Sequence, residues 1–395
     1  MNIIIFSMHL IRKQLISDPD HRPKASAIIL ILFLGINCSI NDEWEKKHLI
    51  FTDLYENEKY IESKSAAEDA LMIALDIYNA GHPSTILSYI NLGKAFTATD
   101  DITSGERNLT IAQTAIEKYF DNQHILYAVN CLHIGNLFRL KGDLDKVLKY
   151  LTQANEYFKK IDKVQTHDYA NTLEHIALIS FTNYNLNDAE DLFRKSLSIR
   201  EKYITDKQNS IAQCLNSIAI ILRMKGELSE SESLTNKALT IWNNIFGSKH
   251  KNVGIGLNNL GVIYKYQGRY DEAEKILSRA LSINEDFFGK NHPDLASDYN
   301  NMAQLMHAKG NYDLANNYYK KALNTLIQFN NIYNFEIGQI LANQGELHFS
   351  SGSYGKALDC FSKAIKKIAD SENDNSSILE RINERIKGIK YILDH

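Results

Sequence analysis

What this chain lacks narrows its function before any motif is read. Thiols are scarce: only Cys38, Cys131, Cys214 and Cys360 occur in 395 residues, and no CxxC spacing exists. Neither a disulfide framework nor a zinc site of that type is expected, and the three later cysteines read as small apolar residues of helix cores. Proline is confined to Pro19, Pro23, Pro83 and Pro293, none inside a repeat helix. An all-α chain requires this, because an interior proline removes a backbone hydrogen bond and clashes with the turn before it. Neither sign of charge dominates. At a formal net charge of −4 no affinity for nucleic acid follows from bulk electrostatics. Also missing are a GxGxxG opening a helix after a strand, GxxxxGK[ST], HExxH and GxSxG, the usual marks of dinucleotide, phosphate, metalloprotease and hydrolase sites. Acid pairs such as Glu272/Glu274 fall on a solvated helix face rather than in a cleft. The expectation is a non-catalytic chain without a cofactor.

What is present is periodicity. From Gly268, steps of 42 residues reach Gly310 and Gly352 forward, and Gly226, Tyr184, Gly142, Asp100 and Glu58 backward. Two residues after each stands a large apolar residue, from Tyr60 through Leu144 to Tyr354. Twelve after stands a small one, from Ala70 through Ser196 to Ala364. Seven before, the residue is Gly or Ala in every copy but the first, which has Phe51. Steps of three and four between apolar residues place them on one helical face. Small residues let two antiparallel helices approach, and large neighbours fill the space between them. Glycine at the turn suits a positive φ. Asp100 tolerates that conformation; Tyr184 does not, so Asn183 or Asn185 is expected to take the turn instead.

Within a unit the small residues are Gly261, Ala273 and Ala280, with Leu257, Leu260 and Tyr264 around the first. This resembles the tetratricopeptide repeat (TPR), usually 34 residues long. The longer unit here, with His or His-Pro in the connecting loop, is similar to the kinesin-light-chain type and its bacterial relatives, phrased LNNLG…Y…G…Y…EAE…ALSI…G…HPD. The resemblance runs from Glu43 to about Ala369. It implies an all-α fold: a right-handed TPR superhelix of about eight helix pairs plus a C-terminal capping helix. The repeats fall at about 43–84, 85–126, 127–168, 169–210, 211–252, 253–294, 295–336 and 337–370, with the cap at 376–395. Ile378, Ile382, Ile386, Ile389 and Leu393 give the cap one apolar face.

Residues 1–38 differ from the rest. Arg12, Lys13, Arg22 and Lys24 precede the uncharged run Ala25 to Ile36, which is shorter than the ~20 residues of a bilayer-spanning helix and fits a signal-peptide core. Leu34-Gly35-Ile36-Asn37-Cys38 resembles a bacterial lipoprotein signal, with leucine one place early and Asn37 where a small residue is usual. It implies export to the cell envelope with Cys38 as the lipidated residue; a cytoplasmic chain is the alternative.

Two columns invite a functional reading. His82, His124, His250 and His292 stand at one repeat position. Metal ligands must converge within ~2.0–2.1 Å of one ion, whereas these lie whole repeats apart, so they are expected to bond local backbone. The other column lies on the first helix of each pair, which lines the inner surface of TPR folds. Ten residues before the turn it carries Asn216, Asn258 and Asn300; three before, Arg223, Lys265 and His307. Amides can bond a peptide backbone and basic groups can take acidic side chains. The expected partner is a protein or peptide segment of acidic character. The expected binding residues are these six, and membrane contact is expected only through the N-terminal anchor.

Overall fold

The computed structural model describes residues 42–120, 124–204, 208–329, 332–371 and 376–395. The 1–38 segment and Cys38 lie outside them. Seventeen α-helices and no strand occur among the described residues, and none of these helices is long and apolar enough to cross a membrane.

The chain divides into two compact units. The first holds α1 (Asp42–Glu56), α2 (Tyr60–Ile77), α3 (Pro83–Ala98), α4 (Ile102–Tyr119), α5 (Ile125–Leu140), α6 (Leu144–Lys160), α7 (His167–Thr182) and α8 (Leu186–Tyr203). The second holds α9 (Gln208–Lys225), α10 (Leu228–Phe246), α11 (Lys251–Tyr266), α12 (Tyr270–Phe288), α13 (Leu295–Ala308), α14 (Tyr312–Ile327), α15 (Asn334–Ser350), α16 (Tyr354–Ala369) and α17 (Ser376–Asp394). Within each unit the helices form successive hairpins, each packed on its chain neighbours.

The hairpins close because a missing side chain on one helix receives a large one from the other. A Cβ built on Gly261 would lie 2.5 Å from Leu277 Cγ. Gly93 meets Leu109, Gly135 meets Leu151 and Gly345 meets Phe361 in the same way. Ala273 and Ala280 are fully buried between the same helices. Cys131, Cys214 and Cys360 are buried, as the sequence implied.

All eight turn residues have positive φ: Glu58, Asp100, Gly142, Tyr184, Gly226, Gly268, Gly310 and Gly352. The expectation for the fourth turn was wrong. Tyr184 itself takes the left-handed conformation at φ 59, while Asn183 and Asn185 keep φ of −85 and −78. Hydrogen bonding supplies the reason. In every turn the next residue's N–H closes back on the carbonyl five residues earlier, as in Asn185 N to Ser180 O at 2.8 Å and Arg269 N to Tyr264 O at 2.9 Å. That closure satisfies orphan helix carbonyls and requires a left-handed residue at the step before. A tyrosine there costs about 1–2 kcal/mol, which the helix-cap bonds and hairpin burial outweigh. The residue stays 59% exposed.

The histidine column is structural. His82, His124, His250 and His292 each accept through Nδ1 from the N–H two residues on, at 3.2 to 3.3 Å. Each ring also packs on the aromatic residue four before it: Tyr78, Phe120, Phe246 and Phe288, at centroid distances of 3.9 to 4.8 Å. Thr166 fills the same cap with its hydroxyl, 3.2 Å from Tyr169 N. The last helix, α17, buries Ile382 and Ile389, with Ile378 and Ile386 packed beside them. Leu393, expected on that face, is instead 54% exposed with Tyr391 and Ile392. The final turn is therefore uncovered among the described residues.

Two glycine substitutions separate packing from propensity. Gly261→Ala must push Leu277 aside and should destabilise by about 1–3 kcal/mol. Gly388→Ala, in α17 with nothing within 4 Å of the added Cβ, should stabilise by about 0.5–1 kcal/mol. Opposite shifts in thermal midpoint are expected; equal shifts would refute the close-approach account.

Candidate functional site

The first helices of the second unit's hairpins, α9, α11, α13 and α15, carry a ladder of side-chain amides. Asn259 Nδ2 donates to Asn216 Oδ1 at 2.9 Å, Asn301 Nδ2 to Asn258 Oδ1 at 3.2 Å, and Asn343 Nδ2 to Asn300 Oδ1 at 3.1 Å. Each bond spans one repeat plus one residue, so a residue on one hairpin reaches the preceding hairpin. Asn216 and Asn258 are buried and Asn300 half-buried. In the first unit the same step joins Asn91 Nδ2 to His48 Nδ1 at 3.0 Å. Where Leu132 occupies the accepting position, His175 Nδ1 is buried without a partner. The donating asparagines were missed in the sequence. The doublets Asn258-Asn259 and Asn300-Asn301 were the available signal.

The ladder lines a cavity of 740 Å³. Ile220, Ile255, Phe288, Pro293, Tyr333 and Ile340 form its apolar wall, and α17 contributes Ile378 and Arg381. Its remaining charged lining residues are Asp294, Asp298 and Glu336. The six expected site residues thus divide. Asn216, Asn258 and Asn300 line the cavity; Arg223, Lys265 and His307 do not. The basic three sit seven residues further along the same helices, about 10 Å along the axis. Gln304 joins the two groups: it lines the cavity and accepts from Lys265 Nζ at 2.6 Å.

Burial, then the neighbouring Arg223 charge, brings the Lys265 ammonium down to about 8. Burial also lowers Arg223, whose guanidinium lies 5.7 Å from the Tyr266 ring centroid. His307 is lowered by burial too, with Glu346 opposing and Lys265 assisting. Its ring stands edge-on to Tyr312. Neither Arg223 nor Lys265 pairs with a carboxylate among the described ion pairs. Two desolvated cations side by side, without a counter-charge, are costly to hold.

Asp298 is their opposite. It is 3% exposed and accepts one hydrogen bond, from Asn284 Nδ2 to its Oδ2 at 2.7 Å. Burial raises its carboxyl to about 6, Asp294 and Glu285 add to the rise, and the Asn284 bond opposes it. Asn284 is itself 3% exposed, and its Oδ1 is buried without a partner. It occupies the space left by Gly254, where a Cβ would lie 1.9 Å from that oxygen. Neighbouring Tyr299 donates through its hydroxyl to Glu285 at 2.6 Å.

The sign of the Asp298 contribution to stability follows from linkage. Below its ordinary value of 3.8 both the folded and unfolded chains hold the proton. Between 3.8 and about 6 the unfolded chain releases it first, so stability falls as pH rises. Above that window the penalty is complete, at roughly 3 kcal/mol. Asp298→Asn, which keeps the bond from Asn284, should be more stable than the parent at pH 7 by up to that amount and equal to it near pH 3.5. Urea unfolding at both pH values checks this, and a parent at least as stable as the variant at pH 7 would contradict the assignment.

Comparison with known proteins agrees with this architecture. Residues 168–244, 212–285 and 252–328 match the tetratricopeptide repeat model in three overlapping windows. No curated protein sequence matches the chain significantly. Among solved structures, the apo form of the quorum sensor NprR from B. thuringiensis is 14% identical, covers 89% of this chain and 100% of its own, and gives a TM-score of 0.60. A Rap protein complexed with competence and sporulation factor is 15% identical, covers 90% and 99%, and gives 0.57. Apo RapI is 16% identical, covers 72% and 98%, and gives 0.56. At such identities the likeness is one of fold. Repeat register, turn conformation and the matched windows agree: residues 168–328 are tetratricopeptide repeats, and the described hairpins on either side of them have the same fold.

Proposed function

We propose that the inner helices of the second unit bind an extended segment of a partner protein, and that the chain is a non-catalytic interaction scaffold. The observation that carries this reading is the asparagine ladder. Asn216, Asn258 and Asn300 use their Oδ1 atoms between hairpins. Their Nδ2 groups donate no described hydrogen bond while the residues line the cavity. Three unused amide donors recur at one-hairpin intervals, a helix-packing distance of about 8–10 Å. An extended peptide covers that in about three residues, so carbonyls of every third residue could meet successive donors. The unpaired Arg223 and Lys265 fit acidic side chains of the same segment. A Rap protein of similar fold is complexed with competence and sporulation factor, which supports a ligand-binding reading of this architecture.

The test is selection of random-sequence peptides displayed on phage against the full chain, followed by fluorescence-polarisation titration of the enriched peptides. The double variant Arg223→Glu/Lys265→Glu, with its helicity checked by circular dichroism, should bind them at least about ten-fold more weakly, a loss of ~1.4 kcal/mol or more. Failure to enrich any peptide sinks the groove reading, and unchanged affinity in the double variant removes the acidic-ligand part of it.

We also propose that the chain is exported and tethered to the cell envelope through Cys38, on the strength of the basic residues, the Ala25 to Ile36 run and the Leu34 to Cys38 sequence. Palmitate labelling abolished by Cys38→Ser is the expected result. A soluble cytoplasmic protein retaining residues 1–38 would exclude it.

A further inference from the structure

Asp298 is the one buried carboxylate in the cavity lining, and nothing in its described surroundings neutralises it. Its single described hydrogen bond comes from a neutral amide, Asn284 Nδ2. Its Oδ1 has no described partner and is not wholly shut off from solvent, and the residue lines the cavity. The wall around it adds Asp294 and Glu336, with Phe288 and Tyr333 as aromatic faces. Arg381, on α17, is the only cation in the lining. Three carboxylates against one guanidinium leave the cavity acidic. Behind Asp298, Glu285 is held by the Tyr299 hydroxyl. His292, in contact with Asp294 at 3.7 Å, caps the loop that opens α13.

A buried carboxylate without a counter-ion is a costly arrangement that a cation relieves. Aromatic faces beside it add cation–π attraction. We propose that this pocket is a specificity site for a cationic side chain, lysine or arginine, of the bound peptide, with Asp298 as its ion-pair partner. The inference rests on the peptide-groove reading and deepens it.

The same geometry separates two charges. Lys265 on α11 is bonded to Gln304, six residues after Asp298 on α13. A peptide using both carries an acidic side chain for Lys265 and a basic one for Asp298, so the ligand is amphoteric rather than simply acidic.

The probes are synthetic nonapeptides with one Asp and one Lys at a series of separations, an inverted set with the order reversed, and sets with either charge replaced by Gln. They are titrated against the full chain beside the phage-selected peptides. Lysine or arginine should be enriched at a fixed position in the selection. Asp298→Asn should weaken those peptides by ten-fold or more, leave the Lys→Gln peptides unchanged, and remain folded by circular dichroism. Parental affinity should fall as Asp298 gains its proton below pH 6; Asp294, Glu285, Glu336, His292 and Arg381 are the other ionisable groups around it. Only the part of the fall absent from the variant belongs to Asp298. Peptides selected without basic residues, or bound equally by parent and variant, overturn the cationic pocket and leave the groove reading standing. Selection of no peptide at all overturns both.

Discussion

Everything in each unit depends on how closely the two helices of a hairpin approach. In four hairpins that distance is set by a single pairing, a residue without a side chain opposite a leucine or phenylalanine, as with Gly261 on Leu277, Gly93 on Leu109 and Gly345 on Phe361. In three others, the Tyr184 hairpin among them, a buried alanine (Ala177, Ala219, Ala303) takes the same place. The pairing fixes the depth at which one helix nests on the other. That in turn fixes the direction in which the chain leaves the turn. The left-handed residue and its closing hydrogen bond follow as consequences, which is why Tyr184 takes the conformation its chemistry disfavours. Strain in one residue is small beside the buried area the hairpin would lose by changing its turn. Repetition of the pairing carries stacking along each unit with only neighbour contacts, the energetic signature of a repeat protein.

The stack leaves one question to side chains: how polar groups on the first helices are satisfied between hairpins. In the second unit, asparagine answers it twice, since one amide holds both a donor and an acceptor. The acceptor joins the neighbouring hairpin and the donor stays toward the cavity. The structural and ligand-binding readings of the column are therefore not rivals. A ladder that rigidifies the hairpins also sets the spacing of the donors it presents. The first unit shows what happens without it. With Leu132 at the accepting position, His175 keeps a buried nitrogen unsatisfied and neutral, pushed to about 4 by burial and by Arg139 and Arg200. Arg200, fully buried, is instead held by Glu174, His167 and Asn171 at 2.6 to 3.0 Å. The two units thus solve the same problem with different chemistry, and only the second combines the ladder with the acidic cavity described above.

Helices and turns were legible in the sequence because each is decided by residues close together. A glycine at the turn, an alanine twelve later and leucines at steps of three and four repeat often enough to cancel local noise. The histidine caps were legible as local bonding, though their stacking on an aromatic four residues earlier was not anticipated. Tyr184 was misread because residue preference was weighed without the hydrogen bonds of the turn. The site was half legible. Asn216, Asn258 and Asn300 could be placed on one face by counting, but their partners lie one repeat plus one residue away, an offset set by how hairpins lean on each other. Asp298 was invisible for the same reason. It sits near a helix start, where an acidic residue is ordinary, and only packing against Asn284 and the Gly254 hairpin buries it.

Burial without a counter-ion distinguishes Asp298 from the paired surface acids. Glu272, Glu274 and Glu346 all face solvent and pair with Arg269, Lys309 and Arg385, which at a surface contributes little in either direction. Asp298 lowers the stability of its own fold above pH 6 and receives only a neutral amide in return. An asparagine would fill the same volume and keep the same bond. Arg223 and Lys265 present the converse: two cations desolvated next to each other with no anion between them. These opposed charges sit on different helices and make no ion pair with one another among the described ion pairs; Lys265 bonds the neutral Gln304 instead. A bound segment carrying both signs would neutralise each in place. On the proposed reading, the unfavourable terms that weaken the free molecule would be the terms that bind such a segment, since charges already desolvated in the site lose little more when a ligand arrives.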